Sequence, residues 1–274
     1  KNFTFSQAYN FFWDKIERAN AFYDAIISLA DKPINDREVQ SWLQFAGEDG
    51  GLWGMAMNLV KKYGVVPSYA MPESFNSNDT TALIDSLARK ERKDAVFLRK
   101  LVAEGKQDEL KEAKKKCLNE VYRIVAVALG EPPKKFDLEY RDDDKKYHLE
   151  RDLTPQAFVQ KYFKSFNFDD YVALSNIPNH EYNKVYHLPL YDNVAGGDQV
   201  KYLNVPIEYL AQAAVAQLKA GEAVSFGNDV LKQMERKTGF LDTDLYKTDQ
   251  LFHVDTQMSK ADRLNTGEGF ATHD

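Results

Sequence analysis

The chain has 274 residues, 43% hydrophobic and 28% charged, with 36 Lys and Arg against 42 Asp and Glu for a net charge of −6. That length can bury one large core or two modest ones, and the acidic balance argues against a global nucleic-acid footprint. No run reaches the roughly 18 apolar residues of a membrane span, and the single cysteine, Cys117, precludes an internal disulfide framework and fits a reducing cytoplasm.

Lys1 is followed at once by the aromatics Phe3, Phe5, Phe11, Phe12 and Trp13, and the chain stops at Thr272-His273-Asp274. Both ends read as cuts in a longer protein. Residues 6–30 predict a long amphipathic helix: Ser6 is a natural N-cap, and Tyr9, Phe12, Ile16, Ala19, Tyr23, Ile26 and Ala30 recur at three- and four-residue spacing. Pro33 marks its exit. A shorter helix is expected over 36–45, then the break Gly47-Glu48-Asp49-Gly50-Gly51, then a helix over 52–63 with Gly64 and Pro67 beyond it.

Residues 79–129 carry two helical patterns broken near Gly105 and ended by Gly130 and Pro132-Pro133. Their charge runs, Lys90 to Lys93 and Lys111 to Lys116, read as solvated helix surface. Phe136, Leu138 and Tyr140 then alternate with polar residues, and Arg141-Asp142-Asp143-Asp144 reads as the turn of a hairpin. Thr154-Pro155 opens a short helix through Lys164. Strand-like runs follow at 171–174, 184–190 and 200–205, a helix from Pro206 to Gly221, a buried-looking strand at 223–226, and a last short helix at 259–264. Helices first and mostly antiparallel strands later argue for an α+β fold.

Several apparent motifs fail on spacing. His180 and His187 lie seven apart in an extended stretch, whereas a zincin needs its histidines four apart on one helix face. Asp142-Asp143-Asp144 lacks the Gly and Glu of a calcium loop, so no metal is expected. Cys117 follows three lysines that could lower a thiol pKa. It continues the apolar phase of Val121 and Val125, however, and reads as structural.

A series of unusual segments makes the chain recognisable. Phe5-Ser6-Gln7 with Phe12-Trp13-Asp14-Lys15, Asp49-Gly50-Gly51 with Trp53, and Lys62-Tyr63-Gly64-Val65-Val66-Pro67 come first. Pro72-Glu73-Ser74, Gly130-Glu131-Pro132-Pro133, Glu139-Tyr140-Arg141-Asp142, Leu153-Thr154-Pro155, Tyr182-Asn183-Lys184, Gly221-Glu222-Ala223-Val224 and Thr272-His273 continue it. In this order they resemble the bleomycin hydrolase and aminopeptidase C family, a cytosolic branch of the papain-like cysteine peptidases.

The resemblance implies a papain-like α+β fold with a helical insertion. Residues 1–75 would belong to the helical half, 76–134 to the insertion, and 135–274 to a mixed, β-rich half ending at the catalytic histidine. It implies a Cys-His-Asn site that hydrolyses peptides through an acyl-enzyme, with no cofactor. His273 matches the catalytic histidine, and Gly50 and Gly51 match a double glycine that pairs with an extended substrate backbone. The matching cysteine and oxyanion glutamine would precede Lys1 and the asparagine would follow Asp274, so these 274 residues alone are expected to be inactive. Asp274 departs from the commoner alanine after that histidine, which leaves a related thiol oligo-endopeptidase as an alternative to an aminopeptidase. The resemblance also implies a cytoplasmic homohexamer. A non-catalytic assembly or nucleic-acid-binding ring is the reading from a different class, and the net charge weakens its nucleic-acid version.

Overall fold

Ser6 starts the first helix as its sequence position predicts, its Oγ accepting the Tyr9 N–H at 3.0 Å to launch α1, Gln7–Ser28. The computed structural model describes residues 3–228, 234–242 and 245–268, and the chain divides into two units. One comprises Lys1–Asp49, Gly54–Asp170 and Pro189–Val200; the other comprises Gly50–Trp53, Tyr171–Leu188 and Lys201–Asp274.

In the first unit Asp36 caps α2, Arg37–Gln44, and α3, Trp53–Tyr63, ends at Gly64. The single-turn α4, Phe75–Asn78, was not foreseen; its capping box is made by Ser74 and Ser77. The two long helices are α5, Thr81–Ala103, and α6, Gln107–Leu129. They form an antiparallel pair turned at Gly105, and their apolar faces close on α1. Phe12, Tyr23 and Ile26 of α1, Leu87 and Leu98 of α5, and Val121 and Val125 of α6 are fully buried there.

β1, Phe136–Arg141, pairs antiparallel with β2, Tyr147–Leu153, placing Tyr140 opposite His148. The hairpin read from the alternation is present. Phe136 and Leu138 supply its buried face. Thr154 caps α7, Pro155–Tyr162, by accepting the Ala157 N–H at 3.1 Å, and Phe158 of α7 packs among Phe3, Phe5, Phe136 and Phe163.

The second unit centres on a three-stranded sheet. β5, Lys201–Asn204, lies between β3, Leu174–Ser175, which is parallel to it, and β4, Lys184–His187, which is antiparallel. The fully buried Asn204 ties the connections together: its Nδ2 donates to the carbonyls of Ile177 and His180 at 3.0 Å, and its Oδ1 accepts the Ile177 N–H at 2.8 Å. α8 is Ile207–Lys219, β6 Met234–Glu235, β7 Phe240–Leu241, α9 Thr248–Phe252 and α10 Lys260–Asn265. Ser259 caps α10 where the sequence places a helix start.

Two expectations are corrected. Residues 223–226 do not form a strand, and Phe226 is two-thirds exposed. A four-residue run makes a strand only where a partner completes the ladder. The charge run at Lys90 to Lys93 is not simply solvated: Glu91 is buried, and Lys90 bridges Asp94 and Glu120. Among the described residues, no helix is long and apolar enough to cross a membrane.

Gly64 shows how tightly the first unit is closed. Its φ is +73°, and a Cβ there would lie 2.3 Å from the Pro155 carbonyl group at the start of α7. Gly105 has a similar φ of +71°, with open space around it. Gly105→Ala should therefore cost only the left-handed penalty of about 1–2 kcal/mol, whereas Gly64→Ala should cost several kcal/mol, because backbone must also move. Urea midpoints of the two variants check this. Equal losses would show that α7 does not press on Gly64.

Candidate active site: a glycine loop anchored from the helical core

Gly50 and Gly51 lie in the loop between α2 and α3. Neither has a positive φ, so neither is required as glycine by a left-handed turn. A Cβ at Gly50 would meet no described atom within 4 Å. Its missing side chain therefore relieves no crowding from those atoms.

The loop reaches Gly50 through three consecutive residues, each held by a side chain from elsewhere in the first unit. The Gly47 N–H donates to Glu91 Oε2 on α5 at 2.9 Å. The Glu48 carbonyl accepts from Lys15 Nζ on α1. Asp49 Oδ2 accepts from Thr80 Oγ1, the residue before α5, at 2.7 Å. Gly47 itself has φ +77°, and a Cβ there would come within 2.8 Å of the Ile84 carbonyl and the Ala88 nitrogen. Here glycine is required both for its conformation and for close approach to α5.

Lys15 and Glu91 are 2% and 3% exposed, so both sit inside the helical core. Burial pulls the Lys15 ammonium below the usual lysine range, partly opposed by Asp14, 3.3 Å from Nζ. Asp14 is in turn held by Arg18, whose Nε lies 2.8 Å from Oδ2. Burial also pushes the Glu91 carboxyl up to about 7, against the Gly47 N–H and the positive charges of Lys15, Arg18 and Arg92. The sequence reading missed the burial of both residues. A signal was present: Lys15 falls between Phe12 and Ala19 on the buried stripe of α1, and Glu91 between Leu87 and Ala95 on that of α5.

Cys117 is buried in α6, within the helical core. Burial, reinforced by the charge of Asp94, pushes its thiol up to about 11. A nucleophilic thiolate needs the opposite environment. The histidine of the same unit, His148, is committed elsewhere: Nε2 lies 2.7 Å from Asp142 Oδ2, and its ring stacks on Tyr140. His273 lies outside the described residues. Alkylation checks the thiol: iodoacetamide at neutral pH should leave Cys117 unmodified in the folded chain and react only after denaturation. Rapid labelling of the folded protein would contradict this.

Residues 1–274 match the Peptidase C1-like family. The chain is 65% identical over 273 residues to an Aminopeptidase G of Lactobacillus delbrueckii subsp. lactis, covering 100% of this chain and 62% of that protein. It is 64% identical over 273 residues to an Aminopeptidase E of Lactobacillus helveticus, with the same coverage. The crystal structure of PepW from Lactobacillus rhamnosis HN001 superposes with a TM-score of 0.92 at 47% identity, over 100% of this chain and 62% of that one. The chain thus spans 62% of the length of the relatives it matches, and its α+β architecture is the one anticipated from the sequence.

Proposed function

The chain belongs to the Peptidase C1-like family, and we propose that the enzyme of which it forms about three-fifths is a cysteine-type aminopeptidase. The observation that carries this reading is the anchored loop leading to Gly50 and Gly51, where neither glycine has a left-handed φ and a Cβ at Gly50 would meet no described atom. An extended peptide laid along such a loop exchanges backbone hydrogen bonds with it, as an added strand does. Relatives matched over the whole chain are named aminopeptidases, which favours aminopeptidase action over endopeptidase action.

In this reading the nucleophile is a cysteine outside these 274 residues, since Cys117 is the chain's one cysteine and is buried with a raised pKa. The thiolate attacks the substrate carbonyl carbon, and the tetrahedral intermediate expels the amine, which takes a proton from the His273 imidazolium. The neutral imidazole then deprotonates the water that cleaves the acyl-enzyme. The chain alone therefore hydrolyses no peptide. The reading extends to a cytoplasmic homohexamer and to residues 76–134 as an insertion in the papain-like fold, both of which the family resemblance implies.

His273 provides the test. In the full-length enzyme, His273→Ala should lower kcat on a free aminoacyl fluorogenic substrate by roughly 10²–10⁴, the usual value of positioned proton transfer. Alkylation of the nucleophilic thiol at mildly acidic pH should slow in the same variant, because its pKa returns towards about 8.5 without the imidazolium. Slow turnover with fast acidic alkylation would overturn the assignment of His273. Equal cleavage of an N-terminally blocked peptide would replace the aminopeptidase reading with the endopeptidase one.

A further inference from the structure

We infer that Lys15 and Glu91 are positioning residues for substrate binding, fixing from inside the helical core the backbone at Gly47 and Glu48, the stretch of chain that leads into Gly50 and Gly51. The inference rests on the substrate role proposed for those glycines. Its physical basis lies in the three successive anchors on Gly47, Glu48 and Asp49.

Strand-like recognition depends on backbone groups held at hydrogen-bonding distance, and a displacement of about 1 Å is enough to lose binding or rate. A solvent-exposed loop ordinarily wanders by that much. This one is prevented from doing so by two buried side chains on two different helices. Lys15 Nζ, on α1, can use the Glu48 carbonyl because burial keeps water from competing for it. Glu91, on α5, accepts the preceding Gly47 N–H, and Gly47 can reach it because its left-handed φ lets the loop lie against the α5 backbone. The pair therefore grips the dipeptide Gly47-Glu48 at both ends: the Gly47 N–H on one side and the Glu48 carbonyl on the other. Core stability alone would be better served by apolar residues at both positions. Their polar atoms are spent on the loop.

The test uses the full-length enzyme and measures KM and kcat on a peptide substrate, active-site titration, and hydrogen exchange of residues 47–51. Lys15→Met and Glu91→Met should each raise KM roughly ten- to hundredfold, the range for losing one buried hydrogen bond, and should speed exchange in the loop. The rate of thiol alkylation should stay at its native value, since the nucleophile is untouched. Glu91→Gln keeps an oxygen for the Gly47 N–H and should retain a KM close to the native one. Thr80→Val removes the exposed third anchor without disturbing the core, so it covers the case in which the buried variants do not fold; it should raise KM by a few fold. A merely structural role predicts fewer titrated sites with an unchanged KM per site, and that result overturns the inference while leaving the peptidase reading intact. An unmodified full-length protein with no peptide turnover overturns both.

Discussion

The constraint on which the rest of the molecule depends is the burial of an ammonium and a carboxylate in a helical core that gains little from either. Taking such groups out of water costs several kcal/mol each unless hydrogen bonds and opposite charges compensate. Lys15 is compensated by the Glu48 carbonyl and Asp14; Glu91 is compensated by the Gly47 N–H and by holding its proton to about pH 7. Because part of the compensation comes from the loop, its departure would leave Glu91 without the Gly47 N–H and Lys15 with Asp14 alone. Packing of α1 against α5 and order at Gly47 to Asp49 are therefore one cooperative arrangement.

The helices were legible in the sequence because their local signals agree. Ser6 caps where a cap is predicted, Asp36, Thr154 and Ser259 cap helices expected to begin at those residues, and the alternation at Phe136 to Tyr140 fixes the hairpin. Elements of one turn or two residues, such as α4 and the β6–β7 pair, are too short to leave a periodicity. The run at 223–226 has strand composition without strand structure, since the ladder is a property of two segments and composition is a property of one.

The site was less legible for a related reason. Glu91 sits in the run Arg89-Lys90-Glu91-Arg92-Lys93, and averaging over that window hides a carboxylate at a core position. Lys15 was likewise passed over for its neighbour Ile16, which is less buried than Lys15. Adjacency misled in the opposite sense at Cys117. The three preceding lysines suggest an activated thiol, yet Lys114 turns to Asp24 while the sulfur is buried with the charge of Asp94 acting on it. The double glycine was found through resemblance alone. The structure adds what resemblance could not, namely that neither Gly50 nor Gly51 has a positive φ and that a side chain at Gly50 would touch none of the described atoms.

The most direct measurement is the pH dependence of unfolding free energy in the native protein and in Glu91→Gln. Glu91 has a folded pKa of about 7 against an ordinary value of 4.5, so the folded state holds this proton more tightly than the unfolded chain. Its stabilisation is fully present below about pH 4.5 and is lost as pH rises through about 7. The native protein should therefore lose roughly 2–3 kcal/mol relative to the Gln variant between about pH 5 and 8. A stability difference that stays flat, or that grows in favour of the native protein as pH rises, would contradict the burial of Glu91 on which the anchoring depends. It would mean that Glu91 is ionised and solvated or paired, not a buried group turned towards the loop.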